Sequence, residues 1–275
     1  MTPPDHALND GRTIPQLGLG VWQVPDEEAA ANVRTAIAAG YRSIDTAAVY
    51  HNERGVGEGV RSSGIPREQL FITTKLWNPR QGYDETLRAF DRSLERLQLQ
   101  YVDLYLIHWP LPTIGKYVDT WKALIRLRDE GRAKSIGVSN FQPAHIDRLI
   151  AETGVTPVLN QVELHPLFPQ RAVREHARTH RIAVESWSPL GQGRLIDNPV
   201  LRAIAARHRK SVPQVILRWH LQSDLVVIPK SVTPARLREN FAVFAFELTQ
   251  SDMQQIAGLE TGERIGPDPD TYAQL

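Results

Sequence analysis

Eight short runs of β-type apolar residues, each followed by a helix-patterned stretch, recur along the chain at intervals averaging about 30 residues, about the length of one strand-helix-strand unit. The runs are Leu17–Val21, Arg42–Ile44, Leu70–Thr74, Val102–Ile107, Lys134–Val138, Val158–Val162, Ala183–Trp187 and Leu225–Ile228. Several are apolar on consecutive residues, as in Leu225-Val226-Val227-Ile228, which is the pattern of parallel strands buried on both faces. Eight such repeats in 275 residues predict a (β/α)8 TIM barrel. A doubly wound sheet with a second domain is the structural rival. No linker, composition shift or low-complexity stretch divides the chain, so residues 1–275 read as one domain.

The intervening helices have recognisable ends. Pro25-Asp26 opens one and Gly40 closes it, while Pro143, Pro199 and Pro213 stand where first helical turns are expected. Ahead of the first strand, Asn9-Asp10-Gly11 between Leu8 and Ile14-Pro15 predicts a β-hairpin that plugs the barrel bottom.

Composition narrows the chemistry. Cysteine is absent, which excludes disulfides, thiolate metal sites and cysteine nucleophiles. The net charge of +1 comes from interleaved signs, so no nucleic-acid footprint is expected. No apolar run approaches the roughly 18 residues of a membrane span, and the polar start from Met1 to Thr13 does not read as a signal peptide. The expectation is a cytoplasmic monomer that acts on small molecules. Lysine is scarce, 6 residues against 26 arginines, so a lysine beside an apolar strand calls for a reason.

In a barrel of this kind, reactive side chains come from the C-terminal ends of the strands, because the loops there surround one cavity. The strand ends read Ile44-Asp45-Thr46-Ala47 followed by Tyr50, Thr73-Thr74-Lys75-Leu76-Trp77, Ile107-His108-Trp109-Pro110, Val138-Ser139-Asn140 and Pro229-Lys230-Ser231. Taken singly, Asp45 reads as a cap, His108 as a structural histidine and Tyr50 as a loop aromatic. Together they form a proton-donating set: an ammonium beside a tyrosine lowers the phenol pKa, a carboxylate keeps the ammonium charged, and a histidine orients the acceptor.

These stretches resemble the aldo-keto reductases, from Gly11 to about Leu259 and in the family's order. Ser135-Ile136-Gly137-Val138-Ser139-Asn140-Phe141, Asn160-Gln161-Val162-Glu163 and Ile228-Pro229-Lys230-Ser231 extend the match. Ser186-Trp187-Ser188-Pro189-Leu190-Gly191-Gln192-Gly193 is similar to the bacterial 2,5-diketo-D-gluconate reductase group. The resemblance implies an NADPH-dependent reductase of small aldehydes and ketones, with no Rossmann domain. It implies Tyr50 as general acid, Lys75 and Asp45 tuning it, and His108 orienting the carbonyl. Ser139, Asn140 and Gln161 would bind the carboxamide, and Trp187 would stack on the nicotinamide. Ser188, Pro189, Leu190, Gly191 and Gln192 would lie near the pyrophosphate. Lys230, Ser231, Val232 and Arg236 would form the 2′-phosphate pocket, with Glu239 and Asn240 near the adenine. Independently of the resemblance, Lys230-Ser231 precedes a helix near Thr233-Pro234, whose N-terminus favours an anion.

On the substrate side, Trp22, Trp77 and Trp109 directly follow strands and are expected to wall the reacting carbonyl, together with Tyr50 and His108. The tail after Leu259 is short, which predicts an open mouth suited to dicarbonyls, α-keto esters, aldehydes or keto-sugar acids such as 2,5-diketo-D-gluconate. Two other classes stand beside the reductase: a cofactor-sensing regulatory subunit, and a lyase using Lys75 or Lys230 as a Schiff base.

Three motifs are set aside. Gly55-Val56-Gly57-Glu58-Gly59 lacks the dinucleotide glycine spacing. His176 and His180 stand four apart without an apparent third ligand, so no metal is expected. Arg207-His208-Arg209-Lys210 reads as a solvated cluster at a helix end.

Overall fold

The structure, a computed structural model, describes residues 4–275; the first three residues of the polar start lie outside it. An antiparallel hairpin pairs β1 (Asp5–Ala7) with β2 (Thr13–Pro15). The barrel then follows: β3 (Gly18–Gly20), β4 (Ser43–Asp45), β5 (Phe71–Leu76), β6 (Val102–Ile107), β7 (Ala133–Ser139), β8 (Leu159–Glu163), β9 (Ala183–Trp187) and β10 (Val226–Val227). Every neighbouring pair is parallel and in sequence order. The parallel bridges Leu17 to Val227 and Gly20 to Lys230 join the two ends, so the expected (β/α)8 barrel closes.

The hairpin does plug the bottom. Leu8 and Ile14 pack against Phe71, Val158, Ala183 and Val226, which stand at or beside the N-terminal ends of their strands. Around the barrel run α1 (Asp26–Ala39), α2 (Glu53–Arg61), α3 (Tyr83–Leu97), α4 (Tyr117–Asp129), α5 (Pro143–Thr153), α6 (Arg171–Thr179), α7 (Pro199–His208), α8 (Val212–Gln222), α9 (Pro234–Phe241) and α10 (Gln250–Ala257). Gly40 ends α1 in the left-handed conformation (φ 114°), as its position predicted.

Some boundaries differ from the sequence reading. The strand read as Leu70–Thr74 runs on to Leu76, which puts Lys75 inside β5 rather than after it. The eighth strand shrinks to two residues because the chain peels toward the barrel seam, where Gly20 N–H donates to the Pro229 carbonyl. Helix α2 contains the glycine-rich motif, where helix propensity is low. A Cβ on Gly55 would meet the Asp26 carbonyl oxygen at 2.1 Å, and one on Gly57 would meet that of Leu97 at 2.0 Å. Those glycines exist for close helix packing.

Candidate active site

Register sets the layer of candidate catalytic side chains. Asp45 pairs with Thr73 across β4 and β5, so Lys75, two residues on, points to the same barrel face. Lys75 has no exposed surface, and its ammonium donates to Asp45 Oδ1 at 2.5 Å and to the Thr46 carbonyl at 3.0 Å. The Tyr50 ring lies over it, with Nζ 5.1 Å from the ring centroid. Tyr50 ends a short 3-10 turn, Ala48–Tyr50, after which His51 takes the left-handed conformation. Buried Asn52 clamps this turn, accepting from Thr46 Oγ1 and donating to the carbonyls of Val21 and Val24. Glu53 adds an anchor by accepting from Thr74 Oγ1 at 2.6 Å.

His108 is the first residue beyond β6. Its ring meets Tyr50 edge-on at 5.8 Å and Trp77 at 5.4 Å between centroids. Burial, helped by the Lys75 charge, holds its pKa well below the ordinary histidine value, so the imidazole is neutral. Its Nδ1 is buried without a protein partner.

Electrostatics at Tyr50 run opposite to the sequence expectation. Burial raises the phenol pKa, and Lys75 offsets this only in part, so the balance is a pKa above the ordinary tyrosine value. Tyr50 therefore stays a protonated donor through the neutral range. Burial likewise pulls on Lys75, but Asp45 and Tyr50 outweigh it and keep the amine charged. A charged, enclosed amine engaged by Asp45 is not a Schiff-base nucleophile.

Beyond this layer, Asn140, left-handed at φ 65°, donates to the His108 carbonyl and accepts from Trp187 Nε1 at 2.8 Å. Ser139 Oγ donates to the Gln161 carbonyl. Gln161 Nε2 donates to Asp45 Oδ2 at 2.8 Å and to Glu185 Oε2 at 2.5 Å. A cavity of about 390 Å³ opens over these groups, within the range of small-molecule pockets. Its lining brings together Asp45, Tyr50, His108, Asn140, Gln161, Trp187, Ser188, Pro189, Gln192 and Lys230, and also Trp22, Trp77 and Trp109. Trp22 is 45% exposed at the rim, whereas Trp109 is buried against Tyr272.

Other expected positions lie outside the lining. Leu190 packs on the core, and Gly191 abuts Leu195. Ser231 and Asn240 are buried, Glu239 is half-buried, and Val232 and Arg236 are exposed at the approach to α9 and within its first turn.

The open mouth is not observed. The tail folds over it, and Gly266, Pro267, Tyr272 and Gln274 complete the cavity wall. The anchor is Glu163, a buried carboxylate at the end of β8 that accepts from the backbone N–H groups of Ile265 (2.5 Å) and Gly266 (2.8 Å). His165 shares that carboxylate at 3.0 Å, and Asn78 Nδ2 donates to the Gln274 carbonyl. A buried acid needs donors, and the tail supplies two. Glu163 stood within a quoted motif, but nothing local in the sequence ties it to a segment some hundred residues later. Glu185, also missed, is discernible only as an acid inside an apolar strand.

Two set-aside motifs gain partners. Asp147 of α5 lies 2.7 Å from His176 Nε2 and 3.7 Å from His180 Nε2 near the surface, supplying the third group the sequence did not reveal. Arg207 and His208 are not merely solvated, because both bind Asp252 and dock α10 on α7.

Comparison with known proteins follows the same lines. The chain matches the aldo/keto reductase family model over residues 15–261. It is 54% identical to methylglyoxal reductase DkgA of Salmonella typhimurium over 267 residues, covering 96% of each chain. The crystal structure of an aldo/keto reductase from Brucella melitensis superposes with a TM-score of 0.92 at 56% identity, covering 94% of this chain and 99% of that one. A mutant of Gox0644 in complex with NADPH superposes with a TM-score of 0.96 at 50% identity, covering all of both chains.

Proposed function

The chain belongs to the aldo/keto reductase family, and from that premise we propose that it reduces small aldehydes and ketones to alcohols with NADPH, Tyr50 delivering the proton. The observation that carries this reading is the Tyr50 phenol held between the Lys75–Asp45 ion pair and a neutral His108 at the floor of one cavity.

The residues present fit a phosphorylated dinucleotide. Trp187 offers a half-buried ring to the cavity, held by Asn140. Lys230 stands at its rim, and Ser231 and Arg236 flank the N-terminus of α9, where first-turn N–H groups favour a phosphate. When bound, the cofactor supplies a hydride. Asn140 and Gln161 would hold its carboxamide, Gln161 with its carbonyl oxygen because both Nε2 hydrogens are engaged. Ser139 fixes Gln161 from below, and Ser188, Pro189 and Gln192 border the path toward Lys230. Leu190, Gly191, Val232, Glu239 and Asn240 belong to the same reading, as the frame of that path.

The protein's own chemistry is proton delivery. A carbonyl oxygen lodged between Tyr50 and His108 accepts a hydrogen bond from each, which polarises the carbonyl. As negative charge develops there, Tyr50 gives up its proton, and Lys75 stabilises the phenolate left behind. Asp45 keeps Lys75 aimed and charged. Trp22, Trp77 and Trp109, with Tyr272, exclude water and select for compact carbonyl compounds. Dicarbonyls suit this volume: DkgA is a methylglyoxal reductase by name, and 2,5-diketo-D-gluconate and α-keto esters are further candidates.

A one-domain monomer in the cytoplasm belongs to the same reading; sedimentation equilibrium tests the first part and cell fractionation the second. No helix among the described residues is long and apolar enough to cross a membrane.

A carbonyl panel assayed with NADPH and NADH tests the activity. Tyr50→Phe should lower kcat by about 10²- to 10⁴-fold, the usual size of general acid catalysis, with NADPH affinity nearly unchanged. Turnover near that of wild type would remove Tyr50 from this role.

A further inference from the structure

Two carboxylates and one ammonium are enclosed in the same barrel layer. Glu185 and Gln161 are register partners on β9 and β8, and the single Gln161 Nε2 group reaches both Glu185 and Asp45. Asp45 touches Lys75 directly, whereas no cation contacts Glu185 among the described residues. The other groups around Glu185 do not supply one. Val226, its register partner on β10, is apolar, Tyr50 is neutral, and Gln161 is an amide. Ionising both acids would leave a net negative charge on side chains that are almost wholly buried, Glu185 being 1% and Asp45 2% exposed, and uncompensated buried charge is strongly disfavoured.

We propose that Glu185 is a positioning residue for proton delivery: held by Gln161 as a neutral carboxylic acid, it leaves Lys75 to Asp45 and Tyr50 alone, and its ionisation weakens Tyr50 as an acid. The inference rests on the reading of Tyr50 as proton donor. In agreement with the geometry, burial and the Asp45 charge push the Glu185 carboxyl up to about 8. An ionised Glu185 in turn raises the Tyr50 phenol. Within the cluster, His108 titrates well below neutrality, and Tyr50 and Lys75 titrate above their ordinary values near 10, so between pH 7 and 9 the charge that changes is that of the Glu185 and Asp45 pair. Glu185 is the member without a cation, so it is the one that releases the proton.

Two measurements test this. Infrared spectra of the wild-type chain labelled with ¹³C at glutamate should show one protonated glutamic acid band at pH 6.5 that disappears with a midpoint near 8. Absence of that band at pH 6.5 overturns the proposal, and so does a protonated acid seen only with aspartate labelling. This arm needs no variant and no turnover. The second arm compares kcat for aldehyde reduction at pH 6.5 and 9 under saturating NADPH. The wild type should slow by about threefold to tenfold, because one pKa unit in a proton donor changes proton transfer by at most tenfold. In Glu185→Gln the ratio of the two rates should approach one. An identical fall in Glu185→Gln overturns the proposal. Tyr50→Phe separates the two readings: if that variant turns over normally the role of Tyr50 fails first, whereas an inactive Tyr50→Phe beside an unaltered Glu185→Gln profile rejects Glu185 alone.

Discussion

Gly266 lies so close to Trp187 that a Cβ added there would stand 2.5 Å from the indole ring, and 3.0 Å from Glu163 Oε2. The tail and the ring proposed to face the nicotinamide are therefore one packed unit. Gly266→Ala must displace either the tail or the ring, without backbone strain of its own, since Gly266 is not among the residues at positive φ. The expected result is weaker NADPH binding and a raised KM for bulky carbonyls, with melting temperature lowered by only a few degrees. Unchanged cofactor affinity, read from tryptophan fluorescence, would separate the tail from the cofactor site.

Lys75→Met should be as damaging to turnover as Tyr50→Phe, and it should also destabilise. It leaves Asp45 enclosed without its cation, and breaking such a buried pair costs about 3–5 kcal/mol unless Asp45 takes up a proton. Chemical denaturation at pH 7 and pH 5 distinguishes the parts: the stability deficit should shrink at the lower pH, where Asp45 protonates more readily. A variant as stable and active as wild type would contradict the coupling.

Cofactor choice should reside in Lys230, Ser231 and Arg236. A 2′-phosphate can use a lysine, a hydroxyl, helix N-terminal amides and a planar guanidinium together. Charge-assisted bonds of about 1.5–3 kcal/mol each support a preference for NADPH of roughly tenfold or more. Arg236→Ala should weaken NADPH far more than NADH. Equal losses in the two dissociation constants would put Arg236 outside the phosphate pocket.

Trp22→Ala and Trp77→Ala should alter which carbonyls are accepted more than they alter NADPH affinity, because both line the cavity and neither is among the residues proposed to hold the cofactor. A uniform loss across a varied panel, with a lower melting temperature, would instead assign them to packing.

His220 sets part of the acid stability. It is fully buried in α8, with both ring nitrogens facing carbonyl oxygens of Ile216 and Leu164, and burial brings its pKa down to about 4. The unfolded chain takes up this proton near pH 6.5 and the folded one only near 4, so folding loses stability as pH falls through that window. The loss from His220 is at most about 3 kcal/mol. Urea midpoints should drop between pH 7 and 4.5, and less steeply in His220→Gln. Parallel slopes would show that His220 titrates normally.

The sequence by itself determined the barrel and most of the candidate catalytic layer. Eight strand ends must surround one cavity once each strand is followed by a helix, so Asp45, Lys75 and His108 could be assigned to one mouth from their positions along the chain. Tyr50 was legible with them, as the aromatic that follows the Asp45 strand end in the loop above it. The tertiary structure decided the rest. In β9 both faces are buried, so alternation does not tell which side chain faces the barrel axis, and Glu185 became visible only beside Gln161. Burial outweighing the Lys75 charge at Tyr50 is a balance of desolvation and distance that composition does not contain. The tail crosses the mouth because Glu163, about a hundred residues earlier, needs the N–H groups of Ile265 and Gly266; contacts that distant follow from how the barrel closes, not from any local pattern.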